Sequence, residues 1–175
     1  MPVVIVLASG RGDRFTASGG ISHKLHTLLG EKTVLQHTLG AVRASGLPWH
    51  LEDAGHPGMG DSIAAAVRAT ADAPGWLILP ADLPLIRADT LRQVALADTA
   101  HAVVVPVYQG QRGHPVRFMP ACGPQLMQLH GNKGAAPVMQ AHSAFEMAVD
   151  DIGCVTDIDT VADLQRALHW LNKRP

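Results

Sequence analysis

Val3 to Ala8 is an uninterrupted run of aliphatic and β-branched residues that breaks at once into Ser9-Gly10-Arg11-Gly12. A strand apolar on both sides belongs inside a parallel sheet with helices on either face. The chain that follows supplies those helices. From Thr33 a helical period sets in, with Leu35, Leu39 and Val42 at i, i+4 and i+7, and Gly46 with Pro48 stops it. Ser62 to Ala71 is an Ala-rich helix carrying Ile63 and Val67, broken by Pro74-Gly75 before a second buried strand, Trp76 to Leu79. Leu91, Val94 and Ala95 mark another helix, and His101 to Val107 a Val-rich strand. Strands and helices that alternate in this way predict an α/β sandwich.

Beyond Gly110 the pattern loosens. Pro115 to Phe118 reads as a short antiparallel strand, Cys122 to Leu129 and Gly134 to His142 as short helices, and Phe145 to Val149 as an edge strand. The final helix has Thr160 as N-cap with Asp163 three residues on, and a stripe of Val161, Leu164, Leu168 and Leu171. Without a linker, repeat or low-complexity segment, residues 1–175 read as one domain.

Charge narrows the partners. Lys plus Arg is 14 against 15 for Asp plus Glu, a net charge of -1 that gives no footprint for nucleic acid or an anionic membrane. No apolar run approaches the roughly 20 residues that span a bilayer. The passage from Met1-Pro2 straight into a strand lacks a basic n-region, so a cytoplasmic location is expected. Cys122 and Cys154 form no C-x-x-C pair and read as reduced, packed thiols.

Three features bear chemistry. The loop from Ser9 to His23 holds Gly10, Gly12, Gly19, Gly20, Arg11 and Arg14, with Lys24 just beyond. Glycines let backbone amides turn toward a ligand, and Arg and Lys add charge for phosphate oxygens, so the loop reads as a phosphate cradle. A flexible surface loop is the competing reading. The loop is not a Walker A motif, and Phe15 stands where the third glycine of a dinucleotide fingerprint would be. Second, in Leu79-Pro80-Ala81-Asp82-Leu83-Pro84 a carboxylate sits at the carboxyl end of a buried strand, where open α/β sheets bind ligands. It suits Mg²⁺, which takes one or two carboxylates plus phosphate oxygens, although an Asp that merely opens a turn is the commoner case. Third, Asp157-Ile158-Asp159 puts two carboxylates on one side of an extended segment, competing with a simple helix N-terminal preference for acids. The ten histidines show no H-x-H or H-E-x-x-H spacing and read as ordinary side chains, except His114 between a turn and a strand.

Taken in order, these segments resemble the MobA-like nucleotidyltransferases, and within them the molybdenum cofactor cytidylyltransferases. Leu7-Ala8-Ser9-Gly10-Arg11-Gly12-Asp13-Arg14 is similar to the L-A-A-G-x-G-x-R loop, and Lys24-Leu25 to the K-L after it. Gly58 to Ile63 is similar to G-M-x-x-S-[LI], and Pro80 to Pro84 to the metal-binding G-D-[ML]-P. Arg112 to Pro115 is similar to R-G-[NH]-P, and Asp157 to Leu164 to D-I-D-T-x-x-D-L. The resemblance implies a Rossmann-like three-layer sandwich of the nucleotide-diphospho-sugar transferase type. It implies transfer of a nucleoside monophosphate to a phosphorylated acceptor with release of pyrophosphate. Leu7, Ala8, Ser9, Gly10, Arg11, Gly12 and Ser62 would then bind the nucleotide, Arg14, Lys24 and Asp82 act in catalysis, and Asp82 with Asp159 hold Mg²⁺. Arg112, His114 and Asp157 would face the acceptor, a molybdopterin-type phosphate, and a molybdenum hydroxylase would be the downstream partner. Ser9 in the loop's third position leans toward CTP over GTP.

Two departures stand out. The family places a further strand and helix before G-M-x-x-S, whereas Leu47 to Pro57 has room for one strand at most, beside the expected base pocket. Ala136 also replaces the arginine of a G-D-x-G-A-R segment, where an acceptor-phosphate contact is expected. Another phosphorylated acceptor such as a sugar phosphate, or a non-catalytic carrier of nucleotide or cofactor, are the alternative readings.

Overall fold

In chain order the elements are β1 (Val3–Leu7), α1 (Asp13–Ala17), β2 (Leu28–Leu29), β3 (Lys32–Thr33), α2 (Val34–Ser45), β4 (Trp49–Glu52), α3 (Met59–Ala69) and β5 (Trp76–Pro80). They continue with α4 (Ala88–Ala95), β6 (Val103–Tyr108), β7 (Gln111–Arg112), β8 (Val116–Phe118), α5 (Gly123–Met127), α6 (Ala136–Ala141), β9 (Phe145–Ala148) and α7 (Val161–Lys173). The structure is a computed structural model and describes residues 1–10, 12–20, 23–98 and 100–173.

β1 runs parallel to β4 on one side and to β5 on the other. β8 follows antiparallel to β5, then β6 antiparallel to β8, and β9 parallel to β6 at the far edge. β7 and β8 share one edge of β6, because β9 occupies Val104 to Val107 along the other. The expected antiparallel strand thus lies inside the sheet. The short β2–β3 ribbon stands apart.

Alternation decides which side chain enters which layer. Val4, Val6, Leu77, Leu79 and Val104 pack with Val34, Leu39 and Val42 of α2, Leu91 and Val94 of α4, and Ala167 of α7. Ile5, Leu7, Ile78, Val103 and Val105 pack with Ile63 and Val67 of α3, Leu126 of α5 and Val138 of α6. This is the mostly parallel, three-layer α/β sandwich expected of the chain. Among the described residues no helix is long and apolar enough to cross a membrane.

Three local expectations shift. The loop after β1 contains the helical turn α1, anchored by Phe15, whose ring is 2% exposed. Its Cδ1 and Cε1 occupy the space a Gly20 side chain would need, so Phe15 packs against the loop's own glycine. Helix α3 starts at Met59 rather than Ser62, which turns Gly58-Met59-Gly60 into a helix entry. On α7 Leu168 points outward, and the buried member of the helix is Ala167, flanked by Val161, Leu164 and Leu171.

Candidate active site

A cleft of about 760 Å³ opens where β1, β5 and the turn after β7 end. Ser9, Gly10 and Gly12 line it together with Arg14, Lys24, Asp82, Asp157 and Asp159. Arg112 and His114 form one end, and His56 to Met59 with Ser62 the other.

The carboxylates converge because the backbone is stitched there. The Ile158 amide donates to the Asp82 carbonyl at 3.0 Å, which lays the 157–159 segment against the end of β5. One oxygen from each of Asp82, Asp157 and Asp159 then lies within 4.8 Å of the others. Asp163 fixes the far end of the segment: its Oδ2 accepts from the Asp159 and Thr160 amides and the Thr160 hydroxyl, at 3.0, 2.7 and 2.8 Å. The Asp163 amide donates back to Thr160 Oγ1 at 3.2 Å, completing a capping box at the start of α7. Ser18 joins the two loops, its Oγ accepting from the Val161 amide at 2.9 Å.

Lys24 bridges two of the three acids, with Nζ 2.6 Å from Asp82 Oδ2 and 3.2 Å from Asp159 Oδ1. Burial by itself would lower its pKa, but the charge and hydrogen bond of Asp82, joined by Asp159, outweigh it and raise the value. Arg14 reaches the other Asp159 oxygen at 3.1 Å from a largely exposed position. Desolvation, then repulsion from Asp82 and Asp159, pushes the Asp157 carboxyl up against the pull of Lys24. Asp82 Oδ1 is buried without a hydrogen-bond partner among the described residues. An orphaned carboxylate oxygen beside two further carboxylates is the donor set a hard divalent cation takes, so the residues fit a metal.

Other residues are placed as follows. The Ser62 hydroxyl donates to the Gly58 carbonyl at 3.2 Å, and Ser9 Oγ lies 2.6 Å from Ser62 Oγ, tying the glycine loop to α3. Leu7 lines the cleft, whereas Ala8 does not and packs toward the α2 layer, its amide spent on the Glu52 carbonyl at 2.8 Å. Arg11 lies outside the described residues. Gly12 takes φ 70, a left-handed conformation that favours glycine, where the loop enters α1. Arg112 is paired with Glu146 of β9 at 2.6 Å. Burial lowers the His114 pKa against the opposing pull of Asp82, and its Nδ1 is buried without a partner among the described residues. Gly113 is required there: a Cβ would lie 2.3 Å from the Cys154 carbonyl oxygen, which accepts from the His114 amide at 2.9 Å. Burial, with Asp151 nearby, pushes the Cys154 thiol up to about 11, so it stays protonated on the cleft wall.

Sequence reasoning passed over two histidines. His23 Nδ1 accepts from the Leu25 amide at 3.3 Å, leaving Nε2 to donate to the Gly10 carbonyl at 2.5 Å and hold the glycine loop. His56 lines the cleft, with Nε2 3.0 Å from Glu52 Oε1. Burial alone would raise the Glu52 pKa, but His56, His50 and the Ala54 amide outweigh it and lower the value. The available signal was an acid at the end of β4 followed four residues later by a histidine in a turn, a spacing with no standard motif.

The family model for the MobA-like NTP transferase domain matches residues 41–146. The bifunctional protein GlmU of Desulfitobacterium hafniense is 25% identical over 94% of this chain, which spans 39% of that relative's length. Rv0371c of Mycobacterium tuberculosis superposes with a TM-score of 0.80 at 25% identity, covering 95% of this chain and 96% of its own. A second structure of Rv0371c is a complex with manganese. Molybdopterin-guanine dinucleotide biosynthesis protein A of Archaeoglobus fulgidus shares the fold, with a TM-score of 0.70 at 16% identity over 98% and 100% of the two chains.

Proposed function

The chain belongs to the MobA-like NTP transferase family, and on that premise we propose that it transfers CMP from CTP to a phosphorylated acceptor of the molybdopterin type, releasing pyrophosphate. The observation that carries the reading is the trio of Asp82, Asp157 and Asp159 facing a glycine loop, with Lys24 between them.

In this reading an oxygen of the acceptor phosphate attacks the α-phosphorus of CTP, the bond to the β-phosphate breaks, and its electron pair leaves on pyrophosphate. The nucleophile is already anionic, so no general base is required and catalysis consists of positioning and charge neutralisation. The chain's own groups fit that demand. Gly10 and Gly12 leave the loop backbone open for phosphate oxygens, His23 holds the loop, and Arg14 and Lys24 bring positive charge to the side where the triphosphate lies. Asp82 and Asp159, with Asp157 beside them, would hold a divalent cation, Mg²⁺ in this proposal. When bound, such an ion neutralises phosphate oxygens and the departing pyrophosphate. Arg112 and His114 line the end where the acceptor enters. A protonated Cys154 offers no competing nucleophile.

Pyrophosphate release from CTP, GTP and ATP, with and without molybdopterin, tests the proposal. Release from CTP that requires molybdopterin and disappears in Asp82→Ala is expected; no turnover of any nucleotide overturns it. Molybdopterin inert beside an active sugar phosphate would instead select the second acceptor class. Ala136, in place of an arginine, and Arg112, already paired with Glu146, favour keeping that class in the screen.

A further inference from the structure

The strand order gives the cleft a direction. Asp82 ends β5 on one side of the β1 glycine loop, and the Arg112–His114 wall lies further out on that same side. β4 lies on the opposite side of β1, and the chain leaving it returns to the cleft rim at His56. A nucleoside triphosphate with its phosphates between the glycine loop and the carboxylates, and with its acceptor at Arg112, therefore extends its base toward β4. The shortened 47–57 segment ends in that place.

What it presents is a fixed imidazole. Glu52 pairs in register with Leu7, is 8% exposed, and its carbonyl accepts from the Ala8 amide, so its backbone is part of the sheet. Its Oε1 accepts from the Ala54 amide at 3.3 Å and from His56 Nε2 at 3.0 Å, folding the turn back on the strand end. A carboxylate on Nε2 fixes the ring's orientation and holds the proton on that nitrogen. Nδ1 then carries a lone pair, and it makes no hydrogen bond among the described residues.

Resting on the nucleotidyltransferase reading above, we infer that His56 reads the nucleobase, its Nδ1 accepting a hydrogen bond from the exocyclic amino group of cytosine. Uracil turns a carbonyl oxygen to the same position, lone pair against lone pair, so the contact discriminates CTP from UTP. Glu52 is the positioning residue behind it.

Calorimetric titration with CTP and with UTP in the presence of Mg²⁺ tests the inference without an acceptor. Wild-type protein should bind CTP more tightly than UTP, and His56→Ala should narrow the ratio by roughly tenfold, mainly by weakening CTP. Glu52→Gln, whose amide can donate to Nε2 and move the ring proton to Nδ1, should narrow it as well, with UTP gaining. Mn²⁺ binding at the carboxylates should be unchanged in His56→Ala, which reports an intact site. A His56→Ala protein that binds CTP with an unchanged CTP:UTP ratio overturns the role of His56 alone. Wild-type protein that prefers UTP overturns it too. Wild-type protein that binds neither nucleotide overturns the nucleotidyltransferase reading and this inference together.

Discussion

Lys24 already sits among the carboxylates of the proposed cation site. Its ammonium lies between Asp82 and Asp159, so these carboxylates are compensated before any ligand arrives. A divalent cation must compete with it. Lys24→Met should therefore bind Mn²⁺ more tightly than wild type in the absence of nucleotide, as read by electron paramagnetic resonance. Its turnover should fall by about 10²-fold through loss of charge at the phosphates. Equal Mn²⁺ affinities would show that the ammonium does not compete. Asp163 makes a second prediction at this scale. Partial burial would raise its pKa, but the Thr160 hydroxyl, the Asp159 and Thr160 amides and Arg166 outweigh it and lower the value. A depressed carboxyl stabilises the fold fully above its unfolded pKa and loses that contribution as pH falls through the folded one. Wild-type stability should thus decline from about pH 4 downward more steeply than that of Asp163→Ala, which should already be about 1 kcal/mol less stable at pH 7. Denaturant unfolding at both pH values measures the difference.

At the level of elements, the turn between β7 and β8 shows what the sequence discloses and what it conceals. Arg112-Gly113-His114-Pro115 was recognisable as a motif, but not the reason for its glycine, which lies in contact with Cys154, distant in sequence. Gly113→Ala should force the turn off the Cys154 carbonyl and cost about 2 kcal/mol, lowering the thermal midpoint together with activity. The strand after Met1-Pro2, the prolines around Asp82 and the alternation of Asp157 and Asp159 were legible because each is a local pattern. Their meeting was not, since it depends on long-range links such as the Ile158 amide and the Lys24 bridge to Asp82. α1 was hidden because it is only five residues long and carries a single buried anchor, Phe15. Leu168 misled because a heptad-like stripe of leucines suggests contact, while the fully buried residue of the helix is Ala167. Glu52 and His56 were overlooked because their pairing exists only once β4 ends and the chain turns.

For the whole molecule, the sheet and its two helix layers form a core that does not include the acidic trio. The carboxylates stand at the sheet's carboxyl edge, and Lys24 and Arg14 already offset two of them. Removing divalent cations with a chelator should therefore leave the circular dichroism spectrum unchanged. Mn²⁺ at 100 times its Kd should raise stability by about 2.7 kcal/mol by mass action, visible as a higher unfolding midpoint. A chelated protein that unfolds would mean that the cation is structural. The same architecture orders events during synthesis. β1, β4 and β5 can pair while the chain is still growing, whereas Asp157 and Asp159 lie far downstream and are joined to Asp82 by the Ile158 amide and the Lys24 bridge. A nascent chain halted on the ribosome before Asp157 would expose a glycine loop and Asp82 without their partner carboxylates, so the candidate site assembles only after that segment has been made.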